Sequence, residues 1–80
     1  MSKSRILSAR EIIKVLEQGF GFKVVSQKGS HIKLQKSDSV GMRMTVVPNH
    51  KEVARGTLKG VLNLAKINED DFWSKYYNLK

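Results

Sequence analysis

Two side chains in this chain can move protons near neutral pH: His31, in Gly29-Ser30-His31, and His50, in Pro48-Asn49-His50-Lys51. An unperturbed imidazole titrates at about 6.5, so it both accepts and releases protons in neutral water. Gly29 suits a tight turn, which sets His31 at the head of a strand inside a basic segment. There it is a candidate general base. It would take the proton from an RNA 2′-hydroxyl, so that the oxygen attacks the neighbouring phosphate while Lys or Arg stabilises charge on the phosphoryl oxygens. The plain alternative is a surface histidine at a strand edge. His50 carries three readings: a general acid for the leaving 5′-oxygen, a phosphate contact, or an exposed loop residue. A metal shared by the two rings is disfavoured, because no HExxH or paired-cysteine spacing accompanies them and nearby carboxylates are few.

The charge around these rings points to a polyanion. Fifteen Lys plus Arg face seven Asp plus Glu, a formal net charge of +8, which favours nucleic-acid partners and above all RNA. Between Phe20 and Gly60 the cations are Lys23, Lys28, Lys33, Lys36, Arg43, Lys51, Arg55 and Lys59, opposed by Asp38 and Glu52. Any single lysine among them serves solubility equally well. Eighty residues read as one domain, 1–80, which at this size buries only about 60–65% of its unfolded surface. A ligand then sits on a face or in a shallow groove, which favours a polymer over a small cofactor; neither cofactor nor metal is expected. Cysteine is absent, which excludes disulfides and thiolate metal sites. No apolar run approaches the ~20 residues of a membrane span. Met1 to Arg10 lacks the apolar stretch of a signal peptide, so the expectation is a cytoplasmic protein with no membrane partner.

The elements that must position these residues follow from periodicity. Ser8-Ala9-Arg10-Glu11 fits a capping box. Ala9, Ile12, Ile13 and Leu16 continue it as one apolar helical stripe, with Leu7 placed to staple onto Ile12 and Gly19 suited to the left-handed stop. Phe22 to Gln27 reads as a strand, Lys28-Gly29 as a hairpin turn, and Ser30 to Lys36 as a second strand. In that strand Ile32 and Leu34 point one way and His31, Lys33 and Gln35 the other. Ser37 to Gly41 reads as a polar loop. Met42 to Val47 forms a third strand, with Met42, Met44 and Val46 on one face and Arg43 and Thr45 on the other, ended by Pro48. In an antiparallel meander this expects Arg43 on the same side as His31. Asn49 to Gly56 is a connector, and Thr57 caps a second helix striped by Leu58, Val61, Leu62 and Ala65. Within it Gly60 weakens the helix, and close packing on the sheet would explain its presence. Asn68 with Glu69, Asp70 and Asp71 opens a short third helix. Its Trp73, Tyr76 and Tyr77 either stack bases or pad a core or dimer contact. Both helical stripes need the apolar sheet face, which gives an α+β two-layer sandwich of order α-β-β-β-α with a short C-terminal helix.

Gly29-Ser30-His31, Val46-Val47-Pro48-Asn49-His50, Gly56-Thr57-Leu58-Lys59-Gly60-Val61-Leu62 and Glu69-Asp70-Asp71-Phe72 together resemble the HicA toxins of bacterial toxin–antitoxin pairs. The resemblance runs from Ser8 to Phe72. It departs in the doubled Gly19-Phe20-Gly21-Phe22 and in Gly60, where a polar residue is usual. It implies a fold similar to a double-stranded RNA-binding domain, metal-independent cleavage of mRNA that arrests growth, and catalysis by the histidine of Gly-Ser-His, hence His31. It also implies a HicB-type antitoxin as partner. The combined expectation is a ribonuclease toxin in which His31 transfers protons and Lys28, Lys33 and Arg43 orient the phosphate. Ser30, Lys36, His50, Lys51, Arg55 and Lys59 would complete the RNA contacts. The rival expectations are a non-catalytic module that reads duplex RNA by shape and an interaction subunit whose basic charge meets an acidic partner.

Overall fold

The computed structural model describes residues 5–79. The part of Met1 to Arg10 that precedes Arg5, read above for a targeting signal, lies outside the described residues. The elements run α1 (Ala9–Phe20), β1 (Lys23–Lys28), β2 (His31–Asp38), β3 (Gly41–Pro48), α2 (Arg55–Ala65) and α3 (Glu69–Leu79). The strands form one antiparallel sheet in the order β1-β2-β3. This is the expected α+β architecture, in an arrangement consistent with a double-stranded RNA-binding domain. Among the described residues no helix is long and apolar enough to cross a membrane.

The capping box forms as read. The Glu11 N–H donates to Ser8 Oγ (3.1 Å) and the Ser8 N–H to Glu11 Oε1 (2.9 Å), satisfying donors that the first helical turn leaves unpaired. Ala9, Ile12, Val15 and Leu16 are buried. The stop falls two residues later than expected. Gly21, not Gly19, takes the left-handed conformation (φ 79°), and its N–H donates back to the Glu17 carbonyl. Gly19 lies inside α1 at a close approach to α3, where an added Cβ would sit 3.1 Å from the Lys75 Cβ. Phe22 goes into the core rather than into β1.

Register decides what the sheet presents. Ile32 pairs with Val47 and Leu34 with Thr45, and all four are buried; His31 pairs with Pro48, Lys33 with Val46 and Gln35 with Met44. Side chains of directly paired residues share a face, so the third strand is turned over relative to expectation. Thr45 and Val47 face the helices, while Met42 and Met44 stay 65% and 40% exposed on the outer face. Arg43 pairs with Lys36 and therefore lies on the face opposite His31, which corrects the expectation that the two face the same side. The cause is twofold. The Ser37 to Gly41 segment is no loop but the tip of a hairpin closed by Asp38 and Gly41. The Thr45 hydroxyl, buried with the core, donates to the Val61 carbonyl of α2 at 2.7 Å. A buried hydroxyl with a partner belongs inside as readily as a methionine.

The helices cover the inner face only. α2 packs along β3, and α3 packs against α1. Leu58, Val61, Leu62 and Ala65 are buried as expected. The helix nevertheless begins earlier: Ala54 is its N-cap, without a side-chain cap bond, and Thr57 is its third residue. Gly60 is exposed with nothing near it, so close packing on the sheet does not explain it; such a glycine costs a helix about 1 kcal/mol relative to alanine. The third helix spans 11 residues and is capped by Asn68, whose Oδ1 accepts from the Asp70 N–H (2.8 Å). Phe72, Trp73 and Tyr76 are buried, with rings edge-on at 5.3 and 5.4 Å. Of the aromatics expected either to stack bases or to pad a core or dimer contact, Trp73 and Tyr76 belong to the core, while Tyr77 is exposed.

Candidate active site

The hairpin between β1 and β2 closes on the Lys28–His31 pair, leaving Gly29-Ser30 as a two-residue loop. Gly29 has φ 59°, the positive angle that the first position of such a loop favours and that a side chain disfavours. His31 is thus the first residue of β2, exposed on the outer face, with Lys28 directly across and Lys33 next along the same face. Among the described residues neither lysine is ion-paired.

The loop after β3 is tied to this turn. The Asn49 N–H donates to the Ser30 carbonyl (2.6 Å), and the His50 N–H donates to the Pro48 carbonyl (2.8 Å), folding the chain back beside His31. The His50 carbonyl accepts from the Ala9 N–H (2.9 Å), so the first free N–H of α1 anchors the loop. Nineteen positions apart in sequence, the two imidazoles reach one open groove of about 580 Å³. Val46 and Pro48 form its β3 side, and Thr57, Gly60, Val61 and Leu64 its α2 side. Among the described residues neither carboxylate nor ammonium lines it.

The remaining cations divide. Lys51 follows His50 in the exposed connector. Arg55 and Lys59 are exposed on α2. At 3.6 residues per turn, however, Arg55 projects roughly 170° and Lys59 roughly 130° from the mean direction of Thr57, Gly60 and Leu64. Lys36 and Arg43 lie on the inner face at the other end of the sheet, bonded to Asp38: Arg43 Nη2 to Oδ2 at 3.2 Å and Lys36 Nζ at 3.9 Å. Lys36 is five residues from His31 along β2, about 16 Å at strand rise.

The family model for the HicA toxin of bacterial toxin–antitoxin systems matches residues 9–67. The chain belongs to the HicA toxin family. No curated protein and no solved structure matches it. The HicA match starts with the first residue of α1 and ends just past α2, so it contains both histidines and the whole groove, while α3 lies beyond it. HicA membership makes this chain a toxin-family protein of a toxin–antitoxin system and implies an antitoxin partner.

Sequence reasoning missed the groove's α2 wall. The helical pattern marks Thr57 as a cap and Gly60 as a packing residue, and gives Leu64 no role. The one local signal was Gly60 itself, a helix-weakening residue with no local use.

Proposed function

We propose that this HicA-family chain is a ribonuclease that cleaves mRNA without a metal, using His31 for proton transfer, and that a HicB-type antitoxin holds it in check. The observation that carries this reading is the groove itself, lined both by an exposed histidine at a strand head and by a second on the adjoining loop, with two lysines that lack an ion pair among the described residues on the neighbouring sheet face. His31 takes the proton of a 2′-hydroxyl. The freed oxygen bonds to the adjacent phosphorus, the bond from phosphorus to the 5′-oxygen breaks, and His50 returns a proton to that leaving oxygen. Lys28 and Lys33 neutralise the phosphoryl oxygens, and Ser30 and Lys51 border the same end of the sheet. Lys36, Arg43, Arg55 and Lys59 act on RNA at a distance, through the overall positive field.

A second reading is favoured by the fold, whose arrangement suits a non-catalytic module that binds duplex RNA by shape. Incubation of RNA with the protein in EDTA separates the two. The ribonuclease reading expects fragments ending in a 2′,3′-cyclic phosphate with new 5′-hydroxyl ends, and no fragments from a 2′-O-methyl RNA of the same sequence. A shift in RNA mobility without fragments leaves only the binding module.

A further inference from the structure

Away from its two histidines, the walls of the groove are a poor match for a phosphate. Phosphates are held best by ammonium, guanidinium or backbone N–H donors, and among the described residues none of the lining side chains is Lys or Arg, its polar side chains being His31, His50 and Thr57. Val46, Pro48 and Leu64 instead offer aliphatic surface, Leu64 with 57% of its area open to solvent. The cations stand outside the groove, on the sheet at Lys28 and Lys33. Gly60 sets the depth of the α2 wall: a Cβ built there meets nothing within 4 Å. The helix gives up stability at this residue without gaining any packing from it.

From this division we infer that the groove is a subsite for one unpaired nucleobase of single-stranded RNA. Its apolar faces lie against Val46, Pro48 and Leu64, and its space is made by the missing side chain at Gly60. The inference rests on the ribonuclease reading only in placing the attacked ribose at His31; the base subsite stands on the groove's own chemistry. The volume falls within the roughly 300–1,000 Å³ of small-ligand sites. A base inside a duplex has both faces covered by its neighbours and enters only after unstacking and unpairing, so the site selects single strands despite its resemblance in fold to a duplex reader. Lys28 and Lys33 then take the flanking phosphates, with the ribose between base and cation and its 2′-hydroxyl toward His31.

The test is Gly60→Leu, whose side chain takes up part of the groove at its α2 wall while leaving every cation in place. Fluorescence anisotropy is measured with a 2′-O-methyl oligonucleotide, which binds without being cut, and with the same strand annealed to its complement. The wild type is expected to bind the single strand more tightly than the duplex. Gly60→Leu should lose affinity for the single strand by about tenfold or more, the order of one base contact. Its duplex affinity should not change, and its melting temperature should be equal or higher because leucine is the better helix former. Unchanged single-strand affinity in Gly60→Leu, or a wild type that prefers the duplex, overturns the subsite. If the wild type cuts no RNA at all, the ribonuclease reading fails, and these affinities still decide the subsite.

Discussion

At the β2–β3 hairpin, Lys36 and Arg43 converge on Asp38, whose carboxylate also accepts the Val40 N–H (3.0 Å) and the Gly41 N–H (3.3 Å). At the opposite end of the same sheet, Lys28 and Lys33 flank His31 on the outer face, and no carboxylate among the described residues pairs with them. Both ends are basic in sequence, but one carboxylate offsets part of the charge at the hairpin end, while neither lysine beside His31 has a carboxylate partner among the described residues. A cation already bonded to a carboxylate offers a phosphate little new, since binding must first undo that pair. The contrast teaches that the count of lysines and arginines locates no site; what locates it is which of them the fold leaves without an anion beside a group that can move a proton.

The contrast is broken most severely at His31. His31→Ala is expected to lower the cleavage rate by about 10²–10⁴-fold, the usual worth of a positioned acid or base. Its melting temperature should not move, because the ring is exposed and packs in no core. Cleavage kinetics alongside a thermal melt check both halves, and a correspondingly large loss of stability would make the residue structural instead. Next in size is the paired comparison of cations. Lys28→Ala with Lys33→Ala should cost roughly 10–100-fold in kcat/KM, as expected for one or two lost charge-assisted phosphate contacts. Lys36→Ala with Arg43→Ala should leave cleavage within about threefold, since these side chains act only through the screened long-range field. Equal losses from the two pairs would erase the distinction between the ends.

The smallest effect is on acid stability and belongs to the hairpin end alone. The Val40 N–H bonded to Asp38, then the Arg43 guanidinium, outweigh partial desolvation and hold its carboxyl below the usual carboxylate range. The unfolded chain therefore takes up this proton at a higher pH than the folded one does. The contribution to stability is fully present above the ordinary carboxylate range, and it is lost as pH falls through the depressed folded value. Thermal melts from pH 6 down toward pH 2 should show an acid loss that is smaller in Asp38→Asn than in the wild type. Identical acid profiles would mean that the Asp38 bonds contribute nothing to folding.

Features written in contiguous residues were legible before the structure. The Ser8–Glu11 capping box, the α2 stripe and the outward face of His31 each depend on spacings within one element and form as expected, and Gly29 takes its positive φ in a turn that falls one residue later, at Gly29-Ser30 rather than Lys28-Gly29. The facing of β3 was not legible, because Met42, Met44 and Val46 alternate with Arg43, Thr45 and Val47, and either set can pass for a core face. A one-residue change of register exchanges the two sets. What decides between them is the tight Ser39-Val40 tip and the bond from Thr45 to Val61, 16 residues away. The groove was hidden for the same reason. His31 was visible in its motif, but its juxtaposition with His50 and the α2 wall depends on the Asn49 to Ser30 hydrogen bond and on the packing of α2 along β3. Neither leaves a periodic trace in sequence.

The two ends can be compared in one titration. Backbone amide NMR spectra of the wild-type protein, recorded as a 2′-O-methyl single-stranded RNA is added, report where the strand lies. The account predicts the largest shifts at 28–33, 46–51 and 57–64, with small ones at 36–43. Shifts concentrated at 36–43, with the amides around His31 unmoved, would contradict it.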